Sequence, residues 1–358
     1  TLSPNFAYPY VRIAKLFETQ KQWDLVLENL NKAVQVDPNF SLAYYELFYY
    51  YFFAKQDYTT AESMLHKYVG SRPNEDQKEH DYLAAQLCWA RKDYNCAVTK
   101  AEAVKTAWGP KVKPRVLILL DYSYLGKQDF ATAKNYVDEF FAKEKDSIIP
   151  QDIQLKVDVY AGAGVPCDQL YGVYMQGAAM NNDLPSKIEY LGKAADFFKS
   201  KNCKLQEADM RMAWFNARGN ASPTYLVNFG ILYVQADALL KADSVFAQYI
   251  KLAPDSIYGY DWKGRVNVTI DSTMTVEPYV TEFVTNYQKA LDIAFTDKAR
   301  YKSQGTKAAL YLAGYFNNIK KSRDSALMYV VKGLEIDSTN PQLKGIKEIF
   351  DRQPAKGT

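Results

Sequence analysis

The 358-residue chain has two histidines, His66 and His80, and four cysteines with no Cys-x-x-C pair. So few ligating side chains, so widely spaced, exclude a histidine metal centre and a disulfide-stapled scaffold. A net charge of +3 is small for this length, so neither nucleic acid nor an anionic membrane is expected as a partner. No apolar run reaches the roughly 18 residues of a membrane span. The nucleophile motif G-x-S-x-G and the phosphate-binding P-loop are missing, and Gly162-x-Gly164 lacks the third glycine of a dinucleotide loop. Carboxylates lie on repeating polar faces, as solvated helix surface does. The chain is therefore expected to be no enzyme, with no catalytic residue, no cofactor and no metal. It begins at Thr1 without Met or a basic-then-apolar leader, which suggests a processed or truncated product whose signal or anchor lies elsewhere.

What the chain has in quantity is aromatic residues, 29 Tyr and 18 Phe within a 48% apolar composition. A tyrosine packs its ring and keeps its hydroxyl wet, which suits helix faces that are partly covered. The pattern is clearest in Pro223–Ser256. There Leu226, Phe229, Gly230 and Tyr233 mark one helix face, Ala242, Phe246 and Tyr249 a second, and Pro254 stops the pair. Gly230 and Ala242 are small so that two antiparallel backbones can approach.

Related pairs recur. The first, about 7–40, carries Tyr10, Ile13, Ala14 and Phe17, then Val26, Leu30 and Ala33. The second, about 42–74, carries Tyr45, Phe48, Tyr49 and Phe52, then Ala61, Leu65 and Tyr68, and is expected to end at Pro73. Two more follow to 147, and a last clear one spans 307–340, with a capping helix from Pro341 to Phe350. One turn punctuates three of them: Lys55-Gln56-Asp57-Tyr58, Arg91-Lys92-Asp93-Tyr94 and Lys127-Gln128-Asp129-Phe130. Asp81, Asp121 and Lys187 stand where an aromatic or a small residue is expected. Between 148 and 222 the pattern loosens: Ala161–Pro166 should break a helix, 168–200 should form a divergent hairpin, and 206–217 an extra helix. Residues 257–295 read as an irregular unit broken at Thr269–Thr275.

The spacing in Pro223–Ser256 resembles the tetratricopeptide (TPR) signature, with Leu226 in place of the usual Trp. The resemblance covers about 80% of the chain. It implies an all-α fold, a right-handed α-α superhelix of about eight helical hairpins. The expected divisions are a four-repeat array over 1–147, an irregular segment over 148–222, a second array with its cap over 223–351, and a flexible tail over 352–358. Ala253-Pro254-Asp255-Ser256 with Gly259, Tyr260 and Trp262 is similar to bacterial cell-envelope members of the family, which implies a periplasmic or outer-membrane-associated protein, the alternative being cytoplasmic.

Cys167 precedes the first helix of the hairpin at 168–200 and Cys203 follows its second. A bridge between them is open to antiparallel geometry, and so is a pair of free thiols. Cys88 and Cys96 read as small core residues. The first helices of successive TPR repeats line a concave face, so their residues off the packing stripe are the candidate partner contacts. These are Glu46, Tyr50 and Phe53, then Tyr82, Gln86 and Trp89, then Ile118, Tyr122 and Leu125; the equivalents in the first repeat, Val11, Lys15 and Glu18, are more polar. Two outcomes are open for these rings: an aromatic groove for a peptide or partner protein, or closure by neighbouring repeats. TPR co-chaperones that grip a terminal carboxylate use a Lys/Asn/Arg clamp on these faces, and Glu46, Tyr50, Tyr82 and Ile118 do not supply one. The expected function is a protein-interaction scaffold, the alternative a structural spacer or oligomerisation module, with a monomer favoured.

Overall fold

The computed structural model describes residues 6–72 and 77–352. Its architecture is set by one turn used repeatedly. A residue with positive φ stands between paired helices at Lys21, Gln56, Lys92, Gln128, Asn202, Asp237 and Lys321, and Gly164 occupies the same kind of place. In most of these turns the next N–H returns to the carbonyl five residues back: Gln22 to Phe17, Asp93 to Cys88, Asp129 to Tyr124, Val165 to Tyr160, Cys203 to Phe198 and Ala238 to Tyr233. This satisfies a carbonyl that a helix end would otherwise leave bare. The following aspartate then caps the next helix, Asp57, Asp93 and Asp129 accepting from the N–H groups of Thr60, Cys96 and Thr132. The polar turn visible in the sequence is thus a C-cap and an N-cap fused.

Two compact units divide the chain, Thr1–Gly177 and Ala178–Thr358. The first is built from hairpins α1 (Tyr8–Thr19)/α2 (Trp23–Val36), α3 (Ser41–Tyr49)/α4 (Tyr58–Gly70), α5 (Gln77–Ala90)/α6 (Tyr94–Trp108) and α7 (Pro114–Gly126)/α8 (Phe130–Lys143). Then come α9 (Pro150–Gly162) and most of α10 (Cys167–Met180). From α1 to α9 each helix packs on the next, so apolar stripes that no single hairpin could cover are buried in sequence. The aromatic that starts a second helix presses on the small residue ending the first helix of the next hairpin. A methyl added at Gly126 would lie 2.5 Å from the Tyr94 ring, and one at Gly162 would lie 2.1 Å from Phe130. The second hairpin carries one extra residue. There the Asp57 N–H returns to Tyr51, six residues back, and the surplus is absorbed by a π-helix, Tyr50–Lys55, continuing α3. Phe52 is then turned inward and Phe53 outward. The expected end of this hairpin at Pro73 lies outside the described residues.

In the second unit α11 (Leu184–Ser200) packs on α12 (Lys204–Arg218) through the turn at Asn202. The segment 206–217, expected as an extra helix, is therefore the second helix of a hairpin with α11. This turn reads Lys201-Asn202-Cys203 and lacks the aspartate that caps at Asp57, Asp93 and Asp129. Next stand α13 (Thr224–Gln235)/α14 (Leu239–Leu252), α15 (Ile257–Ile270)/α16 (Tyr279–Thr296) and α17 (Lys302–Asn318)/α18 (Arg323–Ile336). A methyl at Gly230 would sit 2.4 Å from the Phe246 ring, the close approach expected between α13 and α14. The break at 271–278 is ordered by Asp271, which accepts the N–H groups of Thr273, Thr275 and Val276. The last helix, α19 (Pro341–Arg352), buries Leu343 against the flat patch left by Gly333 and keeps a polar outer face. Most of the expected tail, 353–358, lies outside the described residues. Among the described residues there is no strand, and no helix is long and apolar enough to cross a membrane.

The cysteines correct a further expectation. Cys88 and Cys96 are not separate core residues but a disulfide, with Cα atoms 5.6 Å apart and both side chains half-buried. The left-handed turn at Lys92 folds α6 back on α5 and brings positions eight apart into bonding range. Cys167 and Cys203 are oxidised as well, so no described cysteine is a free thiol.

Candidate partner-binding face

The nine candidate contacts lie on α3 with its π-helical end, on α5 and on α7, and the structure treats them unequally. Tyr50 and Ile118 are buried, at 4% and 7% exposure, so neither is open to a partner. The π-helix draws Tyr50 inward, where Lys55 stands 5.7 Å from its ring centre. Val11, placed on the same face of the first repeat, is buried too. Trp89 on α5 and Tyr122 on α7 cover each other with ring centres 5.6 Å apart. Tyr82 lies 6.4 Å from the Trp108 ring and shares a hydrogen bond with Gln86. Burial raises the pKa of Tyr82 and of Tyr122, as expected for phenols taken from water. Leu125 is half-buried. Trp89 and Tyr122 are thus closed against each other by successive first helices, and Tyr82 meets the second helix of its own hairpin.

Phe53 is different. It is 66% exposed and stacks on Tyr49 at 5.7 Å, its inner edge against Phe52. It borders a small cavity of about 30 Å³, room for roughly one water, whose wall includes Lys15, Glu18, Trp23, Glu46 and Tyr49. Lys15 on α1 reaches Glu46 on α3 at 2.6 Å and Glu18 at 3.0 Å. Burial works against the Lys15 charge, but the two carboxylates outweigh it and hold its pKa above that of an ordinary lysine. The face therefore offers one open aromatic, a partly covered indole and an ion pair bridging two hairpins. Lys15 and Glu18 are the polar first-repeat equivalents named from the sequence, and the structure joins them to the candidate Glu46. Trp23, on the second helix of its hairpin, was not among the candidates.

Several polar atoms of this face and its neighbours are buried without a hydrogen-bond partner among the described residues, including the Tyr50 hydroxyl, Gln86 Oε1 and both carboxylate oxygens of Asp121. Asp121 lies where a TPR helix carries a small residue, and its side chain is fully buried. Burial, and then the nearby charge of Asp138, pushes its carboxyl up to about 8.

No family model and no curated protein sequence matches the chain. Among solved structures it is similar to the C-terminal part of a TPR repeat-containing protein from Cytophaga hutchinsonii. That match has 19% identity and a TM-score of 0.37, covering 73% of this chain and 97% of the other. It is also similar to pilF of Pseudomonas aeruginosa, at 16% identity and a TM-score of 0.43, covering 65% and 96%. A third is the apo form of the quorum sensor NprR from B. thuringiensis, at 12% identity and a TM-score of 0.40, covering 92% and 97%.

Proposed function

We propose that this chain is a non-catalytic scaffold that binds a peptide or a segment of a partner protein on the first-helix face of its first two hairpins. The observation that carries the reading is Phe53, a large ring left open beside the Lys15–Glu46 ion pair while neighbouring rings are covered. A partner residue laid over Phe53 would remove apolar area from water. An adjacent charged group could exchange onto Lys15 or Glu18, giving an aromatic anchor with a polar rim. An oxidising compartment such as a bacterial envelope is part of the proposal. Its support is that every described cysteine is in a disulfide, which reducing cytosol disfavours.

The test is selection of binding peptides from a displayed random library on the folded chain, followed by affinity measurement on variants. Phe53→Ala is expected to weaken the selected peptides about ten-fold or more, as loss of a central aromatic anchor does. Lys15→Glu should change which charges are selected. Peptides that bind Phe53→Ala and Lys15→Glu as tightly as the wild type would place recognition elsewhere.

A further inference from the structure

Both histidines of the chain, expected to be unrelated, line one cavity of about 350 Å³ between α4, α5 and α6. That volume lies within the range of about 300–1,000 Å³ usual for small-molecule sites. His66 stands on α4 at the mouth. His80 stands on α5, only 4% exposed, with its ring edge-on to Tyr68 at 5.5 Å and, among the described residues, no hydrogen bond at either nitrogen. A buried imidazole with two unmet bonds is costly to keep unless something supplies one of them.

The lining shows what that would be. Its acids are already engaged: Glu62 accepts from Arg91 at 2.8 Å, Asp93 from the Cys96 N–H at 3.0 Å, and Asp81 from Gln77 at 3.3 Å. Among the described residues His80 makes no hydrogen bond, and His66 and Lys100 form no hydrogen bond or close ion pair, meeting only the field of Glu62. The uncommitted groups are thus all able to donate. Leu65, Leu87 and the Cys88–Cys96 bridge supply an apolar wall. We infer that this cavity binds a carboxylate carried on a short apolar body, held by His80 and Lys100. It is separate from the face proposed above, because its wall is made by the two second helices α4 and α6 with α5 between them.

Two sources carry that chemistry, a free aliphatic acid and the C-terminal residue of a peptide. With only two histidines, the imidazole NMR signals give a direct reading. They are followed while the protein is titrated with hexanoate, with an acetylated tripeptide ending in a free leucine carboxylate, with the same peptide amidated, and with hexylamine. A saturable shift of His80 is expected with at least one acid and with neither the amide nor the amine. Hexanoate alone would mark a free acid as the ligand, and the peptide alone a chain terminus. Lys100→Gln, at a half-buried side chain and checked for an unchanged unfolding midpoint, should raise the Kd about ten-fold, as loss of one charge-assisted hydrogen bond does. No saturable shift with either acid, equal shifts with hexylamine, or an unchanged Kd in Lys100→Gln would overturn the inference.

Discussion

Asp121 allows a stability prediction with a definite sign. Its side chain is fully buried on α7, neither oxygen has a hydrogen-bond partner among the described residues, and its carboxyl is raised from 3.8 to about 8. Burial is the main cause and repulsion from Asp138 the second. Between those two values the unfolded chain releases this proton while the folded chain keeps it. The contribution of the group to stability is therefore fully present below about pH 4 and is lost as pH rises towards 8. Each pKa unit is worth about 1.4 kcal/mol, so the loss is roughly 4 kcal/mol at pH 7 and approaches 6 above pH 8, as a ceiling before local relaxation. Asp121→Asn keeps the shape and removes the charge. Urea unfolding at pH 5, 7 and 8.5 should show the wild type weakening across the series, with Asp121→Asn pulling ahead as pH rises. Asp121→Ala, which restores the small residue of the TPR pattern, should exceed the wild type at pH 8.5. The capping aspartates Asp57 and Asp129, held low by Thr60 and Thr132, respond in more acid solution and do not confuse this window. A difference between the wild type and Asp121→Asn that does not change with pH would refute the reasoning.

Two further predictions concern the repeated turn and the contact it sets. Gln128 has φ of 61°, so Gln128→Gly should stabilise by up to about 1 kcal/mol and Gln128→Val should destabilise by at least as much, read from denaturant midpoints. Gly162→Ala places a methyl against the Phe130 ring and should cost about 1–3 kcal/mol. Restoring stability with Gly162→Ala/Phe130→Leu would confirm that the two positions are coupled.

The parts of the fold legible in the sequence were those with a local cause. The Asp-aromatic turns announced themselves because capping needs a short carboxylate at one position and the next contact needs a ring beside it. The pairing of α11 with α12 carries a weaker local signal, because its turn has Cys203 where three of the others have Asp57, Asp93 and Asp129, and what the turns share is backbone geometry. The disulfide at Cys88 and Cys96 escaped for a related reason. A spacing of eight has no meaning along one helix, and it becomes a contact only after the turn at Lys92 reverses the chain.

The candidate face shows what sequence periodicity leaves out. Periodicity assigns a residue to a side of its own helix, and that assignment placed Tyr50, Trp89, Ile118 and Tyr122 off the packing stripe. Whether such a residue meets solvent depends on the neighbouring repeat, and Trp89 and Tyr122 meet each other. Tyr50 and Phe53 are three apart and would share one helical side. A single surplus residue, taken up as a π-helix, divides them, burying the first and exposing the second. The open ring on which the binding proposal rests is therefore a product of an insertion in one hairpin. Deleting one residue from Tyr50–Lys55 should restore the α-helical register and turn Phe53 inward, removing peptide binding while the other hairpins keep their fold.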